Sequence, residues 1–232
     1  ACSTQAKEDE NEKAMKMYAE ALETAMKDDI VILRASDFNT KGLDGGDKDK
    51  KGTFHRLVKA VGENQASGTT AGGSYGIGKG APFVASLLRT VYYSTLNGSG
   101  EVIFQGKSRL MSHVFDGIEY RAVGSFGIEG HDSVRDPLQI PEGFIRTERG
   151  TDINILGYDI NLMWVDELAG SVLDNFWKAI HTGILEVTIV DGLKRIEINA
   201  KSLRLNLEKY SKSALVYYRS VVEKSQYFSK QL

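Results

Sequence analysis

Gly72-Gly73-Ser74-Tyr75-Gly76-Ile77-Gly78-Lys79-Gly80-Ala81-Pro82-Phe83 is the stretch on which the reading of this chain turns. Glycine at this density lets the backbone curl tightly and turn several N–H groups toward one point. Pro82 stands in the first turn of a helix expected over residues 81–88, and a helix start adds a positive end beside the curl. Together these features predict an anion site, with phosphate the natural occupant. They do not specify the fold around it.

Two motifs match this stretch by letter and fail by context. Gly73, Gly78 and Lys79 satisfy the P-loop pattern G-x-x-x-x-G-K, but Gly80 stands where Ser or Thr would hold a metal ion. Ser67-Gly68-Thr69-Thr70-Ala71, which does not read as a buried strand, precedes it. Gly72-Gly73-Ser74-Tyr75-Gly76 also satisfies the nucleophile elbow G-x-S-x-G. That elbow needs a strand before it and the parallel-sheet pattern of an α/β-hydrolase, and the chain has neither.

Outward from the glycines, the composition is that of an ordinary globular chain. Its 232 residues are 41 % hydrophobic and 26 % charged, enough apolar material for a core without disulfides or structural metal. Lys plus Arg number 29 against 31 Asp plus Glu, so no field steers the chain toward nucleic acid or an anionic membrane. The single cysteine, Cys2, excludes an internal disulfide. No apolar run has the length of a membrane span and no signal-peptide core opens the chain. A cytoplasmic location is expected by elimination.

The elements alternate irregularly. Ala14, Met15, Met17, Tyr18, Ala21, Leu22, Ala25 and Met26 recur at helical spacing, and Ile30 to Leu33 then read as a buried strand. Phe54, Leu57, Val58 and Val61 suggest a short helix. The run Asp47-Lys48-Asp49-Lys50-Lys51 alternates in sign, as a solvated loop would. Strands are expected at Val91–Tyr93, Glu101–Phe104, Met111–Phe115, Ile118–Val123 and Asp152–Leu156. Val165, Leu168, Val172, Phe176 and Ile180 mark a helix face that Gly183 ends, with Phe176 and Trp177 as core residues. Asp116-Gly117 and Asp191-Gly192 are hairpin turn signals. The tail from Ser202 reads as helical. Consecutive hairpins without regular βαβ alternation predict an α+β fold, a mostly antiparallel sheet with helices on one face.

Three segments in order carry a family resemblance. Ile32-Leu33-Arg34-Ala35-Ser36-Asp37 with Gly42-Leu43, then Gly73-Ser74-Tyr75-Gly76-Ile77-Gly78, then Arg149-Gly150-Thr151-Asp152-Ile153-Asn154-Ile155, resemble the motifs of GHKL ATP-binding domains. That superfamily takes in gyrase, the heat-shock chaperone ATPase, histidine kinases and MutL; the chaperone-like group has the most similar glycine motif. The resemblance covers residues 30 to 160. It implies a Bergerat-type two-layer α/β sandwich over residues 1–200, a mobile lid between Leu43 and Gly78, and a helical extension over 201–232 leading toward a further domain.

The implied roles attach to individual residues. Asp37 accepts a hydrogen bond from the exocyclic amine of adenine, or is an ordinary turn or N-cap Asp. Thr151 bridges to Asp37 directly or through water, or is a plain strand residue. Leu43 packs on the adenine ring, or is a core leucine, and Gly42 stands where the family has the glycine of Gly-Met. Gly73, Ser74, Tyr75, Gly76, Ile77 and Gly78 line the phosphates with backbone N–H groups, and Gly76 and Gly78 are expected where a Cβ does not fit. Lys79 adds a point charge there or is an exposed lysine. Asn39 replaces a family glycine, and an Asn tolerates the positive φ required.

The family's E-x-x-x-N-x-x-D-A helix, which supplies the base and the magnesium-holding Asn, is absent upstream of Asp37. The motif ends in Ala and the chain begins Ala1-Cys2-Ser3, so the expectation is a sequence that starts at the end of that motif. The ligands implied are ATP or ADP, with Mg²⁺ in the intact protein. The function implied is an ATPase whose lid closure gates a conformational change or dimerisation, with a homodimer as the full-length assembly. The alternative is a module that binds ATP without hydrolysis; a non-nucleotide interaction domain is a third class. His55, His113, His131 and His181 have no paired ligand spacing, and no metal site is expected from them.

Overall fold

The computed structural model describes residues 1–60, 77–128, 131–160, 163–192 and 194–223. It falls into two compact units, Ala1–Asp159 and Ile160–Leu232. The boundary expected near residue 200 lies inside the second unit. Gly73, Ser74, Tyr75 and Gly76 lie outside the described residues.

The first unit opens with helices Cys2–Glu8 (α1) and Glu12–Ala25 (α2). Asn11 caps α2 by accepting from the Ala14 N–H, which satisfies one of the free donors at the helix start. Strand Ile32–Ser36 (β1) follows, then a loop and a short π-helical turn, His55–Lys59. A 3₁₀ turn, Ile77–Gly80, leads into helix Ala81–Val84 (α3). Strands Thr90–Leu96 (β2), Val102–Arg109 (β3), His113–Phe115 (β4), Ile118–Tyr120 (β5), Val123–Phe126 (β6) and Gly150–Leu156 (β7) complete it. Five strands form one antiparallel sheet in the order β1-β7-β2-β3-β6, and β4-β5 form a separate hairpin. The unit is α+β.

Alternation along the strands sorts the sheet into two faces. Val91, Tyr93, Ile103 and Ile153 lie on one face, packed with Phe54, Val58, Phe83, Leu43 and Leu57. Burial there pushes the Tyr93 phenol up to about 12. The opposite face carries Tyr92, Val102 and Phe104, covered by Val134, Ile140 and Phe144. Tyr92 meets Phe104 and Phe144 edge to face at 5.4 and 5.2 Å.

Four expectations shift in detail. Ile30 to Leu33, expected as a buried strand, lie in β1 and its approach at the edge of the sheet, where Ile30, Val31 and Ile32 are exposed. The helix from Ala81 stops after Val84 because the Ser86 hydroxyl donates to the Leu156 carbonyl and accepts from the Thr90 N–H. Those bonds draw the chain out of the helix and onto β7. The strand expected over Ile118–Val123 divides, since β5 pairs with β4 whereas Val123 pairs with Arg109 of β3. Within the charged run, Lys48 to Lys51 are exposed, but Asp47 is drawn inward by Lys59 and Ser133.

The second unit holds helix Trp164–His181 (α4), hairpin strands Val187–Asp191 (β8) and Lys194–Ile198 (β9), and helices Leu203–Tyr210 (α5) and Lys212–Tyr218 (α6). The buried stripe of α4 is Val165, Ala169, Leu173 and Ile180. Phe176, expected in the core, lies outside that stripe and is 51 % exposed. Trp177 is half-buried and meets Tyr218 edge to face. Ser211 caps α6 at the Ala214 N–H and donates to Asp174, which also accepts from Ser213. Those bonds hold the Asp174 carboxyl below the usual carboxylate range. Among the described residues no helix is long and apolar enough to cross a membrane.

Candidate functional site

Pairing of β1 with β7 decides what meets at the end of the sheet. Ser36 lies opposite Asp152, so the next residue, Asp37, arrives beside Thr151. The Asp37 N–H donates to the Thr151 carbonyl at 2.9 Å. The Thr151 N–H donates back to Asp37 Oδ1 at 2.6 Å, and the Thr40 hydroxyl donates to the same oxygen at 2.8 Å. Asp37 Oδ2 accepts nothing among the described residues, and the side chain is exposed. The carboxylate is thus fixed at one oxygen and, among the described residues, open at the other.

Behind it sits a buried pair of hydroxyls. Thr95 Oγ1 accepts from the Leu43 N–H at 2.9 Å and donates to the Gly150 carbonyl at 2.9 Å. Thr151 Oγ1 lies 3.2 Å from Thr95 Oγ1. A hydroxyl has one proton, and Thr95 has committed its own to Gly150, so Thr151 donates to Thr95 and keeps its lone pairs. The link between Thr151 and Asp37 is direct, and it runs through the threonine's main-chain N–H.

The loop after β1 is shaped by two residues in left-handed conformations. Asn39 takes φ +59°, a conformation that Asn tolerates. Gly42 takes φ +68°, and a Cβ there would stand 2.5 Å from the Leu96 carbonyl oxygen and 2.9 Å from Thr95 Oγ1. No other residue fits position 42 on both counts. Leu43, immediately after, is half-buried and packs against the core cluster around Phe54 and Phe83.

The phosphate end of the expected site is represented only by its last residues. Gly78 lies in the right-handed 3₁₀ turn, and nothing among the described residues stands within 4 Å of a Cβ built on it. The expectation that Gly78 takes a left-handed conformation is therefore corrected. Its turn is one that any residue adopts. Lys79 Nζ donates to the Arg56 main-chain carbonyl at 2.5 Å, tying the start of α3 to the π-helical turn.

Sequence reasoning missed Thr40, Thr95 and Arg146. Arg146 is 5 % exposed and reaches the Asp37 carbonyl with Nη2. Its Nη1 pairs with the Asp152 carboxylate, and its Nε donates to the Glu148 carbonyl at 2.8 Å. The guanidinium lies over the Phe38 ring, 4.6 Å from the centroid. Most of these partners are main-chain carbonyls, which leave no signature in a sequence. The only available signal was the position of Arg146 shortly before the Gly-Thr strand.

Among the described residues no group of three or more His, Cys, Asp or Glu side chains is placed to hold a metal ion. An open concavity of about 620 Å³ lies in the second unit, lined by residues including Gly170, Asp174, Lys209 and Tyr210. No residue singled out in the sequence for nucleotide contact lines it. No protein-family model matches the chain, and no curated protein matches it.

Proposed function

We propose that the first unit is the base-reading part of a GHKL-type ATP-binding domain with a Bergerat-type arrangement, in which the segment from Leu43 to Gly78 serves as the lid. The observation that carries this reading is the meeting of Asp37 and Thr151. They lie 114 residues apart, belong to different motifs, and are joined by a hydrogen bond of 2.6 Å. A carboxylate with one oxygen fixed by two donors and the other open suits an exocyclic amine, which offers only hydrogens. Adenine fits that demand. The ligand is ATP or ADP.

Turnover requires a base and magnesium, which the resemblance assigns to the E-x-x-x-N-x-x-D-A helix. The 232 residues do not contain that motif before Asp37, which favours binding without hydrolysis for this chain. In a protein carrying that motif, closure of the lid over ATP would gate a conformational change or the pairing of two copies, and the motif's Asn would hold Mg²⁺ to offset the phosphate charge.

Thermal unfolding with added nucleotide tests the reading. A ligand at a hundred times its dissociation constant stabilises the folded state by about 2.7 kcal/mol. Millimolar ATP and ADP are expected to raise Tm by a few degrees. The absence of a shift with every adenine nucleotide would favour a domain that recognises something else.

A further inference from the structure

We infer that Arg146 is a positioning residue that gives the Asp37 carboxylate its discrimination between purine bases, an inference that rests on the nucleotide reading above. Asp37 is restrained at three points. Its N–H is held by the Thr151 carbonyl, its Oδ1 by the Thr151 N–H and Thr40 hydroxyl, and its carbonyl by Arg146 Nη2. Bonds on both sides of the α-carbon fix the backbone dihedrals. The bonds to Oδ1 then fix the side-chain torsions, so Oδ2 points in a single direction.

Of those anchors, only the one on the carbonyl comes from outside the β1–β7 pairing and the Asp37–Thr40 turn. Arg146 is itself immobilised, by Asp152 at Nη1, by Glu148 at Nε and by the Phe38 ring against its face. The planar fork serves Asp37, Asp152 and the Glu148 carbonyl in separate directions, with the Arg149 carbonyl 3.5 Å from Nη2, and stacks at once. A lysine ammonium has no such geometry. Gly150 makes the approach feasible, because a Cβ there would stand 2.7 Å from Arg146 Nη2 and 2.5 Å from Asp37 Oδ1. The buried charge is compensated by Asp152, and the surplus donors are spent on the corner that holds Asp37.

The test compares ATP with inosine triphosphate, which carries an oxygen where adenine carries the amine. Two acceptors facing each other at that position repel, so the wild-type chain is expected to prefer ATP at least tenfold. Arg146→Lys and Arg146→Gln are expected to bring that ratio below about three while still binding both triphosphates. A merely structural role would weaken both ligands equally and leave the ratio intact. Either variant, folded by circular dichroism and keeping the full ratio, overturns the inference. Should neither fold, Phe38→Leu removes only the half-exposed ring beneath the guanidinium. It is then expected to lower the ratio at least twofold, and an unchanged ratio overturns the inference. A wild-type chain that binds neither triphosphate, or both equally, overturns the nucleotide reading and this inference with it.

Discussion

At Gly150 the backbone takes φ +134°, and a Cβ there would overlap the Asp37 carbonyl oxygen. Gly150→Ala therefore meets backbone strain and a collision with main chain that has little room to retreat. We expect it to cost about 1–3 kcal/mol in urea unfolding. Gly78→Ala, with none of the described residues within 4 Å of the added Cβ, is expected to change stability by no more than about 0.5 kcal/mol, or to raise it by reducing unfolded-state freedom. Equal effects at the two positions would contradict the close packing assigned to the Asp37 corner. At this scale the sequence revealed the residues whose chemistry is in the side chain or in its absence. Asp37, Gly42 and Asn39 were legible because a carboxylate and two left-handed positions leave recognisable letters. Thr95 was not, since a buried hydroxyl in a strand reads as any β-branched residue. Arg146 was not, since it grips carbonyls that every residue carries.

Asp47 shows how the loop after β1 is held against the rest of its unit. It pairs with Lys59 Nζ at 2.8 Å, accepts from the Ser133 N–H at 2.9 Å and from its hydroxyl at 2.7 Å. Burial alone would push its carboxyl up, but Lys59 and Ser133 outweigh that and hold it below the usual carboxylate value. A lowered folded-state value contributes stability that is present above about pH 4 and lost as pH falls through that folded value. Asp47→Asn is therefore expected to destabilise the protein by about 1–3 kcal/mol at pH 7. The gap between variant and wild type should narrow by pH 3, as measured by urea midpoints at both pH values. A gap independent of pH would remove the ionised pair from the account. Turn chemistry made the hairpins legible: Asp116 and Gly117 take φ +50° and +75° at the β4–β5 turn. Element ends were less legible, because tertiary partners set them. Ser86 ended α3 through Leu156, and Val123 left the hairpin to pair with Arg109. Phe176 was misplaced because α4 carries a second apolar row, Leu168, Val172 and Phe176, one position round from the buried Ala169 and Leu173, and spacing alone does not say which row faces inward.

For the whole molecule, the near balance of charge leaves recognition to a local site rather than to a long-range field. The proposed division of labour places base reading within these residues and assigns water activation to a motif they lack. Magnesium-dependent phosphate release by the purified chain is accordingly expected to stay at background, since loss of a general base alone costs about 10²–10⁴ in rate. Robust release that disappears with Asp37→Asn would show that the residues present complete a catalytic site. The measurement closest to the central claim is calorimetric titration of ATP into the wild-type chain and into Asp37→Asn. The Thr151 N–H and Thr40 hydroxyl hold Oδ1, so an Asn is expected to keep its carbonyl oxygen there and turn its NH₂ toward the ligand. The fold is retained while an acceptor becomes a donor facing the adenine amine. Loss of a charge-assisted hydrogen bond of about 1.5–3 kcal/mol weakens binding by more than tenfold, which is the predicted result. An Asp37→Asn variant that is folded and binds ATP with unchanged affinity would contradict the account.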